Sequence, residues 1–255
     1  MGTDAPRAPL DRKLLVEEIS QYWRVSVVEV TESTQNDLLE KVTAGTALPG
    51  DVIVAEYQSA GRGRLDRSFV AAPMSALTFS FYVQPKVDKE EWSFLTLIAG
   101  ISVKEALASL DSSVDIGVKW PNDLLIGEKK CSGMIAQATS KGVILGIGIN
   151  VGMDKEELPV PEATSLALEN FSELNRNIIL AKILNHLEIN ITMWELGKTF
   201  IPEYRQVCNT IGREVEVTLP GGEVLKSHAV EISNSGALTL ENGREVSVGD
   251  VVHLR

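Results

Sequence analysis

Three arginines, Arg62, Arg64 and Arg67, stand within six residues in the stretch Gln58 to Phe69, Q-S-A-G-R-G-R-L-D-R-S-F, interleaved with Gly61 and Gly63. A guanidinium fork matches the oxygens of phosphate or carboxylate, and glycine lets the backbone approach a ligand closely. The chain as a whole carries a formal charge of −11, so this cluster runs against its overall balance. Two readings stand side by side: an anion-binding loop and a solvated basic turn, which G-R-G-R by itself does not separate. A second set of chemically capable residues lies in Lys119-Trp120-Pro121-Asn122-Asp123 and in Lys130, followed by Ser132-Gly133. Lys119 and Asp123 can form a structural ion pair; alternatively the lysine serves a phosphate and the aspartate reaches a metal or a ligand donor. Ser33-Thr34-Gln35-Asn36 offers hydroxyls and amides where a helix begins, a place that suits capping, a small polar ligand or an anion. Gly146 and Gly148 punctuate the apolar run Val143 to Val151, and glycine inside a strand marks close approach of a ligand or another backbone.

The elements that must carry these residues follow from periodicity. A short helix is expected over residues 11–22, after a flexible tail at 1–10, and a strand over 25–30. The polar corner 31–36 leads into a helix that Ser33 or Thr34 can cap. Strands are expected at 52–57, 76–83, 116–120, 124–126, 131–139 and 143–151, the first delivering the arginine loop. Residues 88–110 place Trp92, Leu95, Ile98, Ala99, Val103, Ala106 and Leu107 on one face of a long amphipathic helix. Residues 152–163 read as a mobile acidic loop. Helices follow at 166–170, 175–196 and 200–207, with Arg176 at the start of the longest. From Gly212 onward, short alternating strands separated by Pro-Gly-Gly and Asn-Gly turns suggest a small SH3-like barrel of five strands. The expected organisation is a tail and helix over 1–24, a catalytic domain over 25–209 and the barrel over 210–255.

At 255 residues, 44% hydrophobic and 23% charged, the chain has the makings of an ordinary globular enzyme. Its negative charge opposes general binding to nucleic acid, and there is no room before the first strand for a helix-turn-helix. Two cysteines and three scattered histidines give neither a disulfide framework nor zinc spacing. With no apolar run expected to reach the ~18 residues of a membrane span and no signal-peptide pattern, a cytoplasmic location is expected.

Taken together, S-T-Q-N at 33–36, Q-S-A-G-R-G-R at 58–64, K-W-P-N-D at 119–123, K-C-S-G at 130–133 and G-I-G-I-N at 146–150 resemble the biotin protein ligases, in order and approximate spacing, over nearly all of the chain beyond residue 25. The resemblance is to the short form without an amino-terminal DNA-binding domain. It implies an α+β fold, a mixed sheet with helices mainly on one face as in class II aminoacyl-tRNA synthetases, plus the small barrel. It also implies a reaction in two steps: the biotin carboxylate attacks the α-phosphate of ATP to give biotinyl-5′-AMP and pyrophosphate, and a lysine of a biotin carboxyl carrier protein then takes the acyl group. By match to the family, Lys130, Arg64 and Lys119 would serve catalysis. Ser33, Thr34, Gln35, Gln58, Gly61, Arg62, Gly63, Arg64, Lys130, Gly133, Ile135 and Gly146 would hold biotin. Arg62, Arg64, Arg67, Phe69, Lys119, Asn122, Asp123, Asn150 and Arg176 would hold ATP, with Asp123 reaching magnesium. A homodimer is compatible with the resemblance; DNA and membrane partners are not expected.

Three positions depart from the family pattern: Asp66 where glycine is more usual, Phe69 where a tryptophan is expected against adenine, and Gln137 where glutamate is frequent. None removes a charge the two steps require. A lipoate or octanoate ligase is the nearest alternative, but its apolar substrate tail does not call for the Ser-Thr-Gln set together with Gln58. A non-enzymatic binder of biotin or nucleotide would leave Lys130 and the arginine loop without a task.

Overall fold

A computed structural model describes residues 7–64 and 67–254. Its centre is a seven-stranded mixed sheet in the order β1-β2-β3-β7-β6-β5-β4. The strands are β1 (Arg24–Thr31), β2 (Asp51–Gln58), β3 (Ala76–Val83), β4 (Ile116–Lys119), β5 (Asp123–Ile126), β6 (Lys129–Ala138) and β7 (Val143–Asn150). Only β1 and β2 run parallel; every other neighbouring pair is antiparallel. The parallel step needs a crossover, which α2 (Thr34–Thr43) supplies.

The alternation A-L-T-F-S-F-Y-V in β3 sorts its two faces. Leu77, Phe79, Phe81 and Val83 enter the main core with α3 (Phe94–Leu110) and α4 (Arg176–Glu195), while Tyr82 joins Leu38 of α2, Ile53 and Ile144 in a small cluster on the other face. Helices thus lie mainly on one side, and α2 alone covers part of the other, leaving open floor beside its first turn. The segment 89–110 is a 3-10 turn (Lys89–Ser93) running into α3; its expected apolar face is buried, and in the middle turns Leu97, Ile101 and Ser102 are buried as well. By length and hydropathy Lys89–Leu110 is apolar enough to cross a membrane, contrary to the expectation from the sequence; here its apolar side chains form the core of the sheet.

Two segments expected to be mobile are tied down. Residues 1–6 lie outside the described residues, but Arg7 pairs with Glu157 at 2.5 Å and donates to the Gly152 carbonyl, and Leu10 is buried. Residues 152–163 contain a 3-10 turn (Lys155–Glu157) capped by Asp154, and Met153 is fully buried. The helix expected at 166–170 is a series of turns closing at Asn170 with φ 57°, because Ser165 bonds the Leu168 amide and the Met153 carbonyl instead of propagating a helix.

After α5 (Ile201–Val207), Cys208 bridges to Val118 at the β4 edge, and where the small barrel is expected a second, antiparallel sheet follows in the order β11-β10-β9-β8-β12. Its strands are β8 (Glu214–Thr218), β9 (Val224–Ile232), β10 (Leu238–Leu240), β11 (Glu245–Val246) and β12 (Asp250–His253). Its apolar residues, among them Val215, Val217, Ile232 and Leu238, belong to the same continuous core as the main sheet. Trp120 is the junction: fully buried, its amide bonds Thr210 Oγ1 and its indole N–H bonds the Gly236 carbonyl.

His253 bonds Thr210 Oγ1 at this junction, and burial, with the nearby Lys119 and Arg213 charges, lowers its pKa from 6.5 to about 4, Glu128 opposing. The unfolded chain therefore takes up a proton first as pH falls, so the contribution is complete above about pH 6.5 and is lost as pH drops toward 4. With His253 only half-buried, screening limits the loss to about 1–2 kcal/mol. His253→Gln should flatten this part of a denaturation-versus-pH profile; identical slopes in variant and wild type would exclude His253 as the source.

Candidate functional site

Strand register lays out the floor of the site. Ala55, Thr78, Gly148, Gly133, Asp123 and Lys119 stand opposite one another in turn across β2, β3, β7, β6, β5 and β4. A second row runs Ile53, Ser80, Gly146 and Ile135. Partners opposite one another share a face, so the polar side chains of β3 and the three glycines fall on the side that α2 leaves open. The glycines are needed there. A Cβ on Gly146 would meet Gln35 Oε1 at 2.7 Å, and one on Gly148 would meet the Phe69 ring at 2.6 Å.

A β-bulge brings Lys130 to this face. Ser132 stands opposite Leu124, yet Lys130 stands opposite Leu125, so Cys131 is the extra residue. Regular pairing would set Lys130 opposite Ile126 and turn it to the other face; the inserted residue restores it to the side of Asp123. There Lys130 Nζ and Asp123 Oδ1 pair at 2.7 Å, above Gly133, whose Cβ would meet Nζ at 2.9 Å. The Lys130 backbone is held from its other side by the amide of Thr164 and the carbonyl of Glu162.

The result is a cavity of about 140 Å³. At one end the start of α2 supplies polar groups: Thr34 donates through its amide and hydroxyl to Gln58 Oε1 at 2.8 and 3.0 Å, and its hydroxyl lies 2.8 Å from Ser80 Oγ. Ser33 occupies the N-cap position but its hydroxyl does not cap. Ser33 Oγ and Gln35 Oε1 are buried against the cavity with no hydrogen-bond partner among the described residues. A buried polar atom left unmatched costs about 1–3 kcal/mol, so these two atoms point to a polar ligand.

The other end is cationic. Arg62, Arg64, Arg67 and Lys130 line it against two carboxylates, Asp123 and Asp250. Arg62 reaches Asn36 at 3.0 Å and Gln137 at 3.4 Å; Arg64 bonds Asn122 Oδ1 at 2.7 Å and the Gly249 carbonyl at 3.1 Å. Asn122 is itself locked to β6 through the Met134 carbonyl. Burial lowers the Arg64 pKa, with Asp123 and Asp250 opposing. The loop closes on itself through Gly63 N to Arg67 O and Phe69 N to Gly61 O, and Asp66 lies outside the described residues.

Several of the residues expected at the site lie outside the lining of this cavity. Asn150 donates to the Thr164 carbonyl at 2.8 Å and is not part of the cavity lining. Arg176 is not beside it either: its side chain is 3% exposed, pairs with Glu56 at 2.6 Å and bonds the carbonyls of Ala76 and Ala8, fastening the amino-terminal segment to the sheet. Gly61 does not line the cavity; it gives room to the Phe69 carbonyl and Gln58. Lys119 stands at the end of the floor row beyond Asp123, outside the cavity lining, where burial lowers its pKa and Asp123 opposes. Asp123 does not fit a resident metal: its carboxylate is paired with Lys130, and no cluster of three or more His, Cys, Asp or Glu suits a metal among the described residues. Residues the sequence reading missed are Thr78 and Ser80, legible as polar positions alternating within an apolar strand, and Asp250, which nothing local marks.

A family model described as "Biotin/lipoate A/B protein ligase family" matches residues 27–154. The chain is 37% identical to the "Biotin--[acetyl-CoA-carboxylase] ligase" of Mycobacterium tuberculosis over 99% of its own length and 98% of that protein's. It is 30% identical to the "Bifunctional ligase/repressor BirA" of Salmonella typhimurium over 85% of the chain and 69% of that protein. Among solved structures, the biotin protein ligase from Aquifex aeolicus in complex with biotin and ATP superposes with a TM-score of 0.77 at 29% identity, covering 91% of this chain and 99% of that one.

Arg176→Met tests its reassignment. It leaves the Glu56 carboxylate without its cation and should lower stability in urea denaturation by about 3–5 kcal/mol, while KM for ATP stays within about twofold, since direct phosphate contact would be worth more. Weakened nucleotide binding in a variant of unchanged stability would return Arg176 to the nucleotide.

Proposed function

The chain belongs to the biotin/lipoate A/B protein ligase family, and we propose that it is a biotin protein ligase, activating biotin with ATP and passing it to a lysine of a biotin carboxyl carrier protein. The observation that carries the choice of substrate is the pair of buried, unmatched atoms Ser33 Oγ and Gln35 Oε1 beside the Thr34–Gln58–Ser80 network. A ureido ring offers both N–H donors and a carbonyl acceptor to such a set. The apolar ring of lipoate would leave it unpaired, and sites built for hydrogen bonding reject analogues that lack the bond.

With the ureido ring at that end, the carboxylate of biotin lies toward Lys130 and the arginines. A carboxylate oxygen attacks the α-phosphorus of ATP, the bond to the bridging oxygen breaks and pyrophosphate leaves. Two anions must meet, so positive charge fixed in advance by Lys130, Arg62, Arg64 and Arg67 stabilises the transition state. In the second step the neutral amine of the carrier lysine attacks the acyl carbon, AMP leaves and the amine loses its proton. Asn122 orients Arg64, and Gly133 leaves room for Lys130 to reach the new acyl phosphate. Magnesium in this reading enters with ATP as part of the substrate, since Asp123 is engaged with Lys130. Lys119, beyond Asp123, adds positive potential from outside the cavity.

Dimerisation belongs to the same reading. β1 ends the sheet with β2 as its only strand neighbour among the described residues and leaves Val30 exposed, an edge that a second copy can pair with. Sedimentation velocity with and without biotin and ATP tests this, and a monomer boundary under both conditions would remove it.

Pyrophosphate release from ATP should be stimulated by biotin and not by lipoate. Stimulation by lipoate alone would keep the mechanism and overturn the substrate; no release with either would leave a binding protein. Lys130→Ala should slow adenylate formation by about 10²–10³-fold, the range for loss of one preorganised donor, and unchanged single-turnover adenylation would exclude its role. Ser33→Ala should raise KM for biotin by about tenfold, with KM for ATP unchanged; equal values for variant and wild type would detach Ser33 from the ligand.

A further inference from the structure

The small sheet reaches into the cavity at one place, Gly249-Asp250, and both residues hold an arginine of the loop. Asp250 takes Arg67 in a two-pronged pair, Nη1 to Oδ1 at 3.2 Å and Nη2 to Oδ2 at 2.5 Å, while the Gly249 carbonyl takes Arg64. We infer that Asp250 is a positioning residue for the nucleotide: its carboxylate holds Arg67 beside Arg64 so that both guanidinium groups face the triphosphate. The inference rests on the proposed ligase reading and adds to it a specific task for the small sheet.

The geometry separates this from an ordinary surface ion pair. The Arg67 side chain is 66% exposed and stands on a glycine-rich loop, where nothing else among the described contacts fixes it. Asp250 is 27% exposed and opens strand β12, paired along its length with β8. Its backbone is seated tightly, since a Cβ on the preceding Gly249 would meet Val217 Cγ1 at 2.8 Å and the Thr218 carbonyl at 3.3 Å. A carboxylate on rigid structure therefore holds a long, flexible cation at the rim of the cavity that both residues line.

Charge and donor count fit the task. A lone carboxylate there would repel phosphate, but each nitrogen of Arg67 that serves Asp250 retains a second hydrogen, and Nε–H is also left for the ligand. Pairing removes the repulsion and keeps the donors. An exposed pair of this kind contributes little to stability, so its consequence should appear in binding.

Steady-state pyrophosphate release with the full chain provides the test. Wild-type activity with biotin checks the ligase reading separately, since its absence would sink that reading before any variant is compared. Asp250→Ala and the isosteric Asp250→Asn should each raise KM for ATP about tenfold, as expected for loss of a charge-assisted hydrogen bond, with KM for biotin within about twofold. Asp250→Glu should recover part of the loss. Arg67→Ala should raise KM for ATP similarly, and the double variant should be no worse than Arg67→Ala alone, because residues acting through one contact are not additive. Unchanged KM for ATP in Asp250→Asn would overturn the inference. So would an equal rise for biotin and ATP, or multiplicative effects in the double variant. If Asp250→Ala folds poorly by circular dichroism, the asparagine variant decides.

Discussion

The ion pair between Lys130 and Asp123 sets the terms for the rest of the site. An acidic chain has to present concentrated positive charge to anionic reactants and hold each cation in place. One carboxylate on the neighbouring strand meets that need and holds the lysine on the floor of the cavity. It works because of two local departures from regular β structure: the extra residue at Cys131, which turns Lys130 to the correct face, and the missing side chain at Gly133, which leaves room for the pair. The remaining cations then come from a loop that can approach from above, tethered by Asn36, Asn122 and Asp250.

The division of labour between the two faces of the sheet explains the placement of the helices. α3 and α4 both pack on the core face: the middle turns of α3 are buried all round, whereas α4 buries one side and leaves Ile178, Ile189 and Met193 exposed on the other. Only α2 sits on the ligand face, and its first turn carries Ser33, Thr34 and Gln35. The polar end of the cavity is thus built from a helix start, Gln58 at the end of β2 and the hydroxyls of β3, whereas the cationic end draws on four separate parts of the chain. Such an assembly requires the small sheet to be fixed to the large one, and the buried Trp120, at the end of β4, does this with hydrogen bonds to Thr210 and Gly236.

Much of this was legible in the sequence. Ala76–Val83 coincides with its expected strand, β2 and β7 differ by a residue or so at their ends, and the arginines of G-R-G-R together with Lys130, set in an acidic chain, marked residues that line the cationic end of the cavity. Sequence pattern was silent where a side chain had two possible clients. Asn150 and Arg176 carry groups suited to a nucleotide, and in the structure they also serve the carbonyl of Thr164 and the carboxylate of Glu56. Local pattern does not rank such partners. The same holds for the acidic segment 152–163, which reads as a free loop until Arg7, far away in the chain, is seen to pair with Glu157. Asp250 escaped for the opposite reason: a single aspartate in a turn-rich region has no local signature, and its meaning lies in a contact 183 residues away.

Phe69 and Gly148 show how loop and floor depend on each other. The ring of Phe69 lies where a Cβ of Gly148 would be, with ring carbons between 2.6 and 2.9 Å from that position. A glycine in the middle of a fully buried strand weakens the strand unless something else uses the space. Here the aromatic side chain of the arginine loop uses it, packing on the bare backbone of Gly148 in the first row of the floor. The contact gives the loop an apolar anchor at one end, while Asn122 and the small sheet hold its arginines at the other. A loop whose cations were tethered only to polar partners would find competing partners in water; an aromatic ring seated on backbone has no comparable alternative there. The orientation of the cationic end toward the cavity therefore rests on a hydrophobic contact as much as on charge.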